Sequence, residues 1–464
     1  MILAVALFME QLDSTVIATS LPAIAADIGS SPIALKLALT SYFVALAIFI
    51  PISGWMSDRF GARNIFRIAI LIFVFGSIAC AFSNSLPAFV VSRFFQGMGA
   101  SMMTPVGRLL LVRSTPRSEL VSAMAWLSIP ALVGPICGPP LGGFLTTYLS
   151  WHWIFWINVP VGIAGILLAG KYLPVTDARN PRPIDVVGFI LAAIAFSGTV
   201  FGLSVISLPA LPIVYGYLTT AVGIVAFLFY LLHARRARFP LLDPKMFRYP
   251  LFRAAAAGGN LFRIGIGATP FLMPLMLQLG FGYSPFESGM ITFVSAIGAI
   301  ISKFFSERVF IMFGFRGLLS FGVAAGAGFL ALNGFFTPAT PIWIIMFALL
   351  CGGVVRSLTF TGVNALSFGD IDEADMSQAT AINAVMQQLT QAFGIAIAGA
   401  VLEIASHTHG GPVQLSDFHI SFWVVGLISG LATIPFLRLT PDAGAQVSGH
   451  ARYANTAADP IKQT

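Results

Sequence analysis

Five charged side chains stand in stretches of this chain that are otherwise apolar: Glu10 and Asp13 near the start, then Arg93, Arg263 and Arg356. An ionised side chain at mid-bilayer costs about 2.5 to 3.5 kcal/mol on insertion scales, so such residues are functional by default. Glu10 and Asp13, three positions apart, share one face of a helix. Desolvation and mutual repulsion favour a proton on at least one of them, the property a proton carrier needs. For each the competing reading is a structural hydrogen bond to a neighbouring helix. Arg93 is their natural counter-charge. Arg263 and Arg356 have no acids at comparable depth, which leaves three alternatives: binding carbonyls freed by helix breaks, snorkelling in the case of Arg356, or lining a cavity and attracting an anion. With Gln96 and Asn260 they form the candidate substrate cavity. Two acids against three arginines would disfavour lipophilic cations in such a cavity and favour neutral or anionic cargo.

The elements that hold these residues follow from hydropathy. Apolar runs of about 20 residues give fourteen spans near 2–21, 35–55, 65–82, 87–107, 122–145, 153–173, 185–206, 210–232, 254–279, 284–304, 317–336, 341–361, 377–402 and 418–438. Every second connection is basic: Arg59, Arg63 and Arg67; Arg108, Arg113 and Arg117; Lys171, Arg179 and Arg182; Arg235 to Arg253; Lys303, Arg308 and Arg316; Arg438, Arg452 and Lys462. Apart from the intramembrane arginines, only Lys36, at the mouth of the second span, breaks this alternation. The positive-inside rule then puts both termini in the cytoplasm of a multi-pass plasma (inner) membrane protein. A chain that is 57% hydrophobic and 9% charged, with a mean hydropathy of +0.89, does not suit a soluble fold of this length. The net charge of +7 is loop charge obeying topology, with no clustering that suggests nucleic acid. Cys80, Cys137 and Cys351 all fall within spans and indicate neither a disulfide framework nor a zinc site. Ala23-Ile24-Ala25 resembles a signal-cleavage site, but Glu10 and Asp13 interrupt the stretch, which is read as a retained first helix. The short lead-in at Met1 suggests that the chain begins slightly earlier.

The segments divide into an N-terminal six-helix bundle (1–173), a linker with two extra spans (174–253), a C-terminal six-helix bundle (254–438) and a cytoplasmic tail (439–464). Phe60-Gly61-Ala62-Arg63 after the second span recurs as Phe313-Gly314-Phe315-Arg316 after the tenth, which supports two homologous halves. Spans 7 and 8 are then an inserted hairpin facing lipid. Two symmetric bundles around a central site are the architecture of secondary transporters. The connection from His233 to Arg253 mixes arginines with Phe239, Leu241, Leu242, Met246 and Phe247; it either lies at the membrane surface or is a linker with an apolar docking patch. Asp370, Asp372, Glu373 and Asp375 read as a solvated acidic turn rather than a metal site, and His407, His409 and His419 with Glu403 as a polar loop rather than a chelate.

Two patterns carry mechanics. Gly54-x-x-x-Asp58-Arg59-x-Gly61-x-Arg63 joins spans 2 and 3: Gly54 would admit a neighbouring helix, Gly61 a tight turn, and the charges can meet helix ends or each other. Such a set forms a breakable latch or, more simply, a polar turn with topogenic arginines. Gly134, Gly138 and Gly142 place small residues on one face of span 5 at four-residue spacing, and Pro135, Pro139 and Pro140 would bend it, as a pivot between halves or as plain packing.

The latch spacing resembles the signature loop of the major facilitator superfamily, and fourteen spans resemble its drug:proton antiporter branch of the EmrB/QacA type. The resemblance covers nearly the whole chain: Leu12-Asp13-Ser14-Thr15 with Leu21-Pro22-Ala23-Ile24, Arg93-x-x-Gln96-Gly97-x-Gly99-Ala100, Gly134-Pro135-x-x-Gly138-Pro139-x-x-Gly142-Gly143, and Trp151-His152-Trp153-Ile154-Phe155-x-x-Asn158-x-Pro160. In texture it is similar to the HsrA and MdtD subgroup. His152 stands where the family usually has Arg, Glu10 is an extra acid, and the second-half latch lacks the Asp-Arg pair. The resemblance implies the major facilitator fold, an all-α integral membrane protein of two six-helix bundles plus the hairpin. It also implies a span-5 motif that occludes the centre.

The reading is a proton-coupled exporter of small amphipathic compounds working by alternating access as a monomer in the lipid bilayer, with protons and a small-molecule substrate as its partners. It needs no cofactor beyond the proton gradient, and a periplasmic adaptor stays open. The alternative is an exporter of an anionic metabolite such as an organic acid or siderophore. An enzyme is not indicated: there is no H-E-x-x-H pattern, P-loop or compact nucleophile and base. Nor does any appended soluble domain suggest a sensor.

Overall fold

The computed structural model describes residues 2–115, 120–174, 183–206, 212–372, 375–409, 413–441 and 443–444. Arg117, Arg179, Arg182, Glu373, Arg452, Lys462 and nearly all of the tail lie outside them, as do the side chains of Arg113 and His409. Among the described residues twelve helices are long and apolar enough to cross a membrane: α1 (Ile2–Asp27), α2 (Lys36–Phe60), α3 (Ala62–Ala81), α6 (Trp153–Tyr172), α7 (Val186–Ile206), α8 (Ile213–Arg236), α9 (Pro250–Gly280), α10 (Pro285–Lys303), α11 (Ser306–Phe335), α12 (Ile342–Leu366), α13 (Met376–His409) and α14 (Leu415–Leu437). Two further helices of 29 residues each, α4 (Leu86–Ser114) and α5 (Leu120–Tyr148), complete fourteen. Such elements satisfy their own backbone hydrogen bonds, as a bilayer requires.

Pairing shows the internal repeat. In the first half α2 packs on α4, α1 on α5 and α3 on α6; in the second, α10 packs on α12, α9 on α13 and α11 on α14. Each pairing recurs eight helices later. Gly61 (φ 84°) and Gly314 (φ 61°) both adopt the left-handed conformation that favours glycine, so the two copies of the short motif make the same kind of turn. The halves meet along α2–α13 and α5–α10. The hairpin α7–α8 packs mainly on itself and reaches α2 and α13 through α7, leaving Val214, Tyr217, Leu228 and Phe229 exposed as an apolar face suited to lipid.

The connection after α8 is a docked strap, and the acidic turn, with Asp372 exposed, also anchors it. Leu242 and Met246 are buried, and the Tyr230 hydroxyl donates to the Leu242 carbonyl (2.7 Å) while accepting from its N–H (2.8 Å). Arg248 donates to Asp375 (2.7 Å), Tyr249 donates to Asp372 and Asp375 (2.9 Å each), and the Leu251 N–H in the first turn of α9 donates to Asp370 (2.7 Å). Free amides at a helix start attract carboxylates, which is why this turn is occupied.

Glycine positions separate packing from open surface. A Cβ at Gly134 would stand 2.8 Å from the Cβ of Gln11, one at Gly138 would strike Thr15 and one at Gly142 would strike the Val16 carbonyl, so three glycines of α5 press on α1. Gly143 and Gly289 instead seat α5 and α10 against each other, on Pro285 and Phe286 and on Pro139 respectively. α5 stays helical through Pro135, Pro139 and Pro140. Gly54 departs from the expected close approach: a Cβ there meets nothing within 4 Å, because no helix lies against that face of α2 in this conformation. Gly142→Ala is therefore expected to lower stability by roughly 1–3 kcal/mol, as overpacking does, and Gly54→Ala to leave it unchanged. Melting of both variants in detergent checks the contrast.

Candidate functional site

The polar run of α1, Glu10 to Thr15, carries two acids well inside the span, and the bundle sends them in different directions. Asp13 points toward α4 and α6. Its carboxylate accepts from Arg93 Nη1 (2.7 Å), Gln96 Nε2 (2.8 Å) and Asn158 Nδ2 (2.9 Å). Arg93 Nη1 also donates to Gln96 Oε1 (2.6 Å). Ser77 on α3 accepts from Asn158 (3.0 Å) and donates to the Phe155 carbonyl (3.0 Å), and the Tyr42 ring lies 4.3 Å from the Arg93 guanidinium carbon. Asp13 and Arg93 are each 1% exposed. This is a closed polar network joining α1, α3, α4 and α6, in which the charged pair is compensated by neutral amides.

Glu10 lies elsewhere. It accepts a hydrogen bond from the Thr104 hydroxyl (2.6 Å) and lines a cavity of about 600 Å³ between the halves. The first-half wall includes Glu10, Gln11, Tyr42, Pro135 and Pro139; the second-half wall includes Arg263, Arg356, Gln387, Gln388 and Gln391. The cavity reaches Lys303 and Phe304, at the end of the molecule that carries the basic connections. At the opposite end the halves touch: Gln278 Nε2 donates to the Thr19 carbonyl (2.8 Å) and the Phe286 N–H to Thr147 Oγ1 (3.1 Å).

The cations of the second half have neutral partners. Arg263 Nη2 donates to Asn364 Oδ1 (2.6 Å) and Nη1 to Asn383 Oδ1 (3.3 Å), Arg356 Nη2 to Ser295 Oγ (3.1 Å), and Lys303 Nζ to Thr361 Oγ1 (2.5 Å). Among the described residues no carboxylate pairs with any of the three. The cavity thus has an acid on one wall and cations on the other.

Several assignments change place. Gln96 is fully buried in the Asp13 network and does not line the cavity, because its face of α4 turns inward to α1; Asn260 on α9 is likewise absent from the lining, while Arg263, three residues on, is part of it. The latch residues Gly54, Asp58, Arg59, Gly61 and Arg63 gather at the basic end, where Arg63 Nη1 donates to the Leu173 carbonyl just past α6 (3.2 Å), a contact within the first half. His152 lies 3.8 Å from Asp27, beside Trp151, whose Nε1 donates to the same carboxylate (3.1 Å). His407 stands by Glu403, and His419 by the Phe336 carbonyl; no group of metal-ligating side chains occurs among the described residues. Sequence reasoning passed over Thr104, Ser77 and three of the glutamines of α13, although Gln387, Gln388 and Gln391 are a polar signal inside an apolar span.

Comparison with known proteins agrees with this geometry. The model of the Major Facilitator Superfamily matches residues 3–258 and again 255–462. The chain is 35% identical over 445 residues to a protein of Pectobacterium atrosepticum named as a multidrug resistance protein, MdtD, covering 95% of each. It is also 35% identical over 463 residues to the Escherichia coli protein of that name, covering 96% of this chain and 95% of the other. Among solved structures it is similar to a D-xylose–proton symporter (TM-score 0.68, 15% identity, covering 96% of this chain and 98% of the other) and a POT family transporter in complex with 5-aminolevulinic acid (TM-score 0.69, 15% identity, 95% and 96%), likenesses of fold.

Removing Asp13 leaves Arg93 buried without its counter-charge. Asp13→Asn is expected to destabilise by roughly 3–5 kcal/mol, and the double change Asp13→Asn with Arg93→Met to recover part of that. Chemical unfolding of the purified variants in detergent gives the comparison; equal stability of wild type and Asp13→Asn would count against the network as an anchor.

Proposed function

Because the chain belongs to the Major Facilitator Superfamily, we propose that it is a proton-coupled exporter of small amphipathic compounds, of the multidrug type, working by alternating access across the inner membrane. The observation that carries this reading is the position of Glu10: an acid, 7% exposed, on the wall of a cavity that lies between two bundles, is closed at one end and reaches the other. A carboxylate so placed can exchange its proton with the cavity, and cargo entering the same space competes with that proton. Asp13, saturated by three donors, anchors the first half and is the less accessible acid. The names of the relatives support cargo of the multidrug type over an anionic metabolite.

The basic connections give the sidedness: the end with Arg59, Arg63, Arg236 and Lys303 is cytoplasmic, with both termini there. The conformation then faces inward. A single chain forms both walls of the cavity, and the proton gradient is the only driving force invoked. In this reading the latch at Asp58 and Arg63 acts when the cytoplasmic ends come together, and the α5–α10 contact at Gly143 and Gly289 acts as the pivot.

Reconstituted into liposomes with an imposed proton gradient, the wild type is expected to move a fluorescent amphipathic dye uphill. Glu10→Gln should lower that uphill flux on the order of tenfold or more while dye still binds. Flux indifferent to the gradient in the wild type would overturn the transport reading. Full uphill flux in Glu10→Gln at equal protein would overturn the role of Glu10.

A further inference from the structure

One charge crosses the interface between the halves at the closed, outer end. Lys36, the first residue of α2, is 0% exposed, although lysine is almost never fully buried unless paired. Its side chain lies over Gly399 of α13, with Nζ 3.3 Å from where a Cβ at that glycine would stand. One helical turn further along the same face is Glu403, on the side of α13 that Lys36 covers. His407 Nε2 lies 3.6 Å from Glu403 Oε1; the His407 side chain is 63% exposed and that of Glu403 13%. The acid therefore stands one turn beyond the glycine that the buried lysine covers, and on its other side lies beside an exposed imidazole. The hydrogen bonds at this end from Gln278 to Thr19 and from Phe286 to Thr147 involve no charge.

The charged groups on the other helices packed on α13, among the described residues, are placed as follows. α7 has no ionisable side chain. α9 contributes Arg253 and Arg263, toward the basic end and the cavity. On α14, Asp417 accepts from the Gln414 N–H (2.8 Å) and His419 contacts the Phe336 carbonyl (2.9 Å).

Opening the outer end requires α2 and α13 to part there, which separates Lys36 from Glu403. While the carboxylate is ionised, separation gives up the attraction between two poorly solvated charges. A proton on Glu403 removes that attraction and favours parting, so protons and the outer-open state support each other by linkage.

We propose that Glu403 is an outer proton-binding residue of the transport cycle, which ionised holds Lys36 across the α2–α13 interface and keeps the outer end shut, and on taking a proton from outside lets that end open. The inference rests on the exchange reading and its sidedness, and adds to Glu10 a second acid, reached from the opposite side of the membrane. An exporter driven by inward proton flow benefits from this order, because outside protons favour the state that releases cargo and admits the next proton.

The test uses the full chain in nanodiscs with Cys80, Cys137 and Cys351 replaced and spin labels at Leu149 and Phe335, exposed outer-end positions on opposite halves. Their distance distribution is measured in neutral and acidic buffer. The wild type is expected to be short at neutral pH and to gain a longer population in acid. Glu403→Gln and Lys36→Met should show that longer population already at neutral pH, with an open-to-closed ratio roughly tenfold above wild type. The exchanged pair, Lys36→Glu with Glu403→Lys, should close again at neutral pH, which a merely misfolded single variant would not predict. Unchanged distances in Glu403→Gln, or an exchanged pair as open as either single change, would overturn the proposal. Gradient-driven flux of the wild type is measured beside it: flux with unchanged Glu403→Gln distances removes the gate alone, whereas absent flux with the expected distances removes the exchange reading and leaves a proton-operated gate.

Discussion

The contact between Asp13 and Arg93 is the interaction on which the first half depends. Two opposite charges, each 1% exposed, are tolerable inside a bilayer only when they meet and the remaining donors and acceptors are filled. Gln96, Asn158 and Ser77 fill most of them, and the Arg93 Nε stays buried without a partner. The consequence is mechanical, because the network ties α1, α3, α4 and α6 at one depth while the glycines of α5 hold that helix to α1. A half braced in this way moves as a body, and relative motion falls to the two helix pairs that join the halves.

Those joints are asymmetric along the membrane axis. At one end backbone meets backbone at Gly143 and Gly289, side chains bridge from Gln278 to Thr19 and from Phe286 to Thr147, and Lys36 crosses from α2 to α13. At the other end the cavity reaches Lys303 and Phe304, and Gly54 faces no neighbour. Uncharged contacts and small residues allow close seating without a large desolvation cost on parting; a charge at the same seam adds a dependence on protonation that apolar packing cannot supply.

The halves repeat in backbone and differ in chemistry. Helix pairings recur eight helices apart, and Gly61 and Gly314 make like turns. Yet α1 carries Glu10 and Asp13 deep in its span, while the corresponding helix α9 carries no acid and instead Arg263, held by two asparagines. A cavity walled by Glu10 on one side and Arg263 and Arg356 on the other has a built-in polarity that the repeat of the fold does not imply.

Hydropathy alone determined the number and order of the spans, the alternation of basic connections and the doubled bundle, because a helix in lipid must be apolar for about 20 residues and cannot borrow hydrogen bonds from solvent. Special backbone was equally legible at Gly61 and Gly314, where only the left-handed region makes the turn. What the chain did not reveal was the rotation of each helix about its axis. Gln96 and Asn260 are polar residues in apolar spans, as Gln387 and Gln391 are, but only the latter pair faces the cavity. Glu10 and Asp13 share a helix face by spacing, yet one reaches the cavity and the other α4 and α6. Gly54 read as a packing site and faces open space; Asp370, Asp372 and Asp375 read as solvated, and besides meeting solvent they hold a strap more than a hundred residues earlier in sequence. The tertiary structure decided these because each depends on what stands opposite, and in a bundle the opposing residue comes from a helix whose distance along the chain carries no signal of contact.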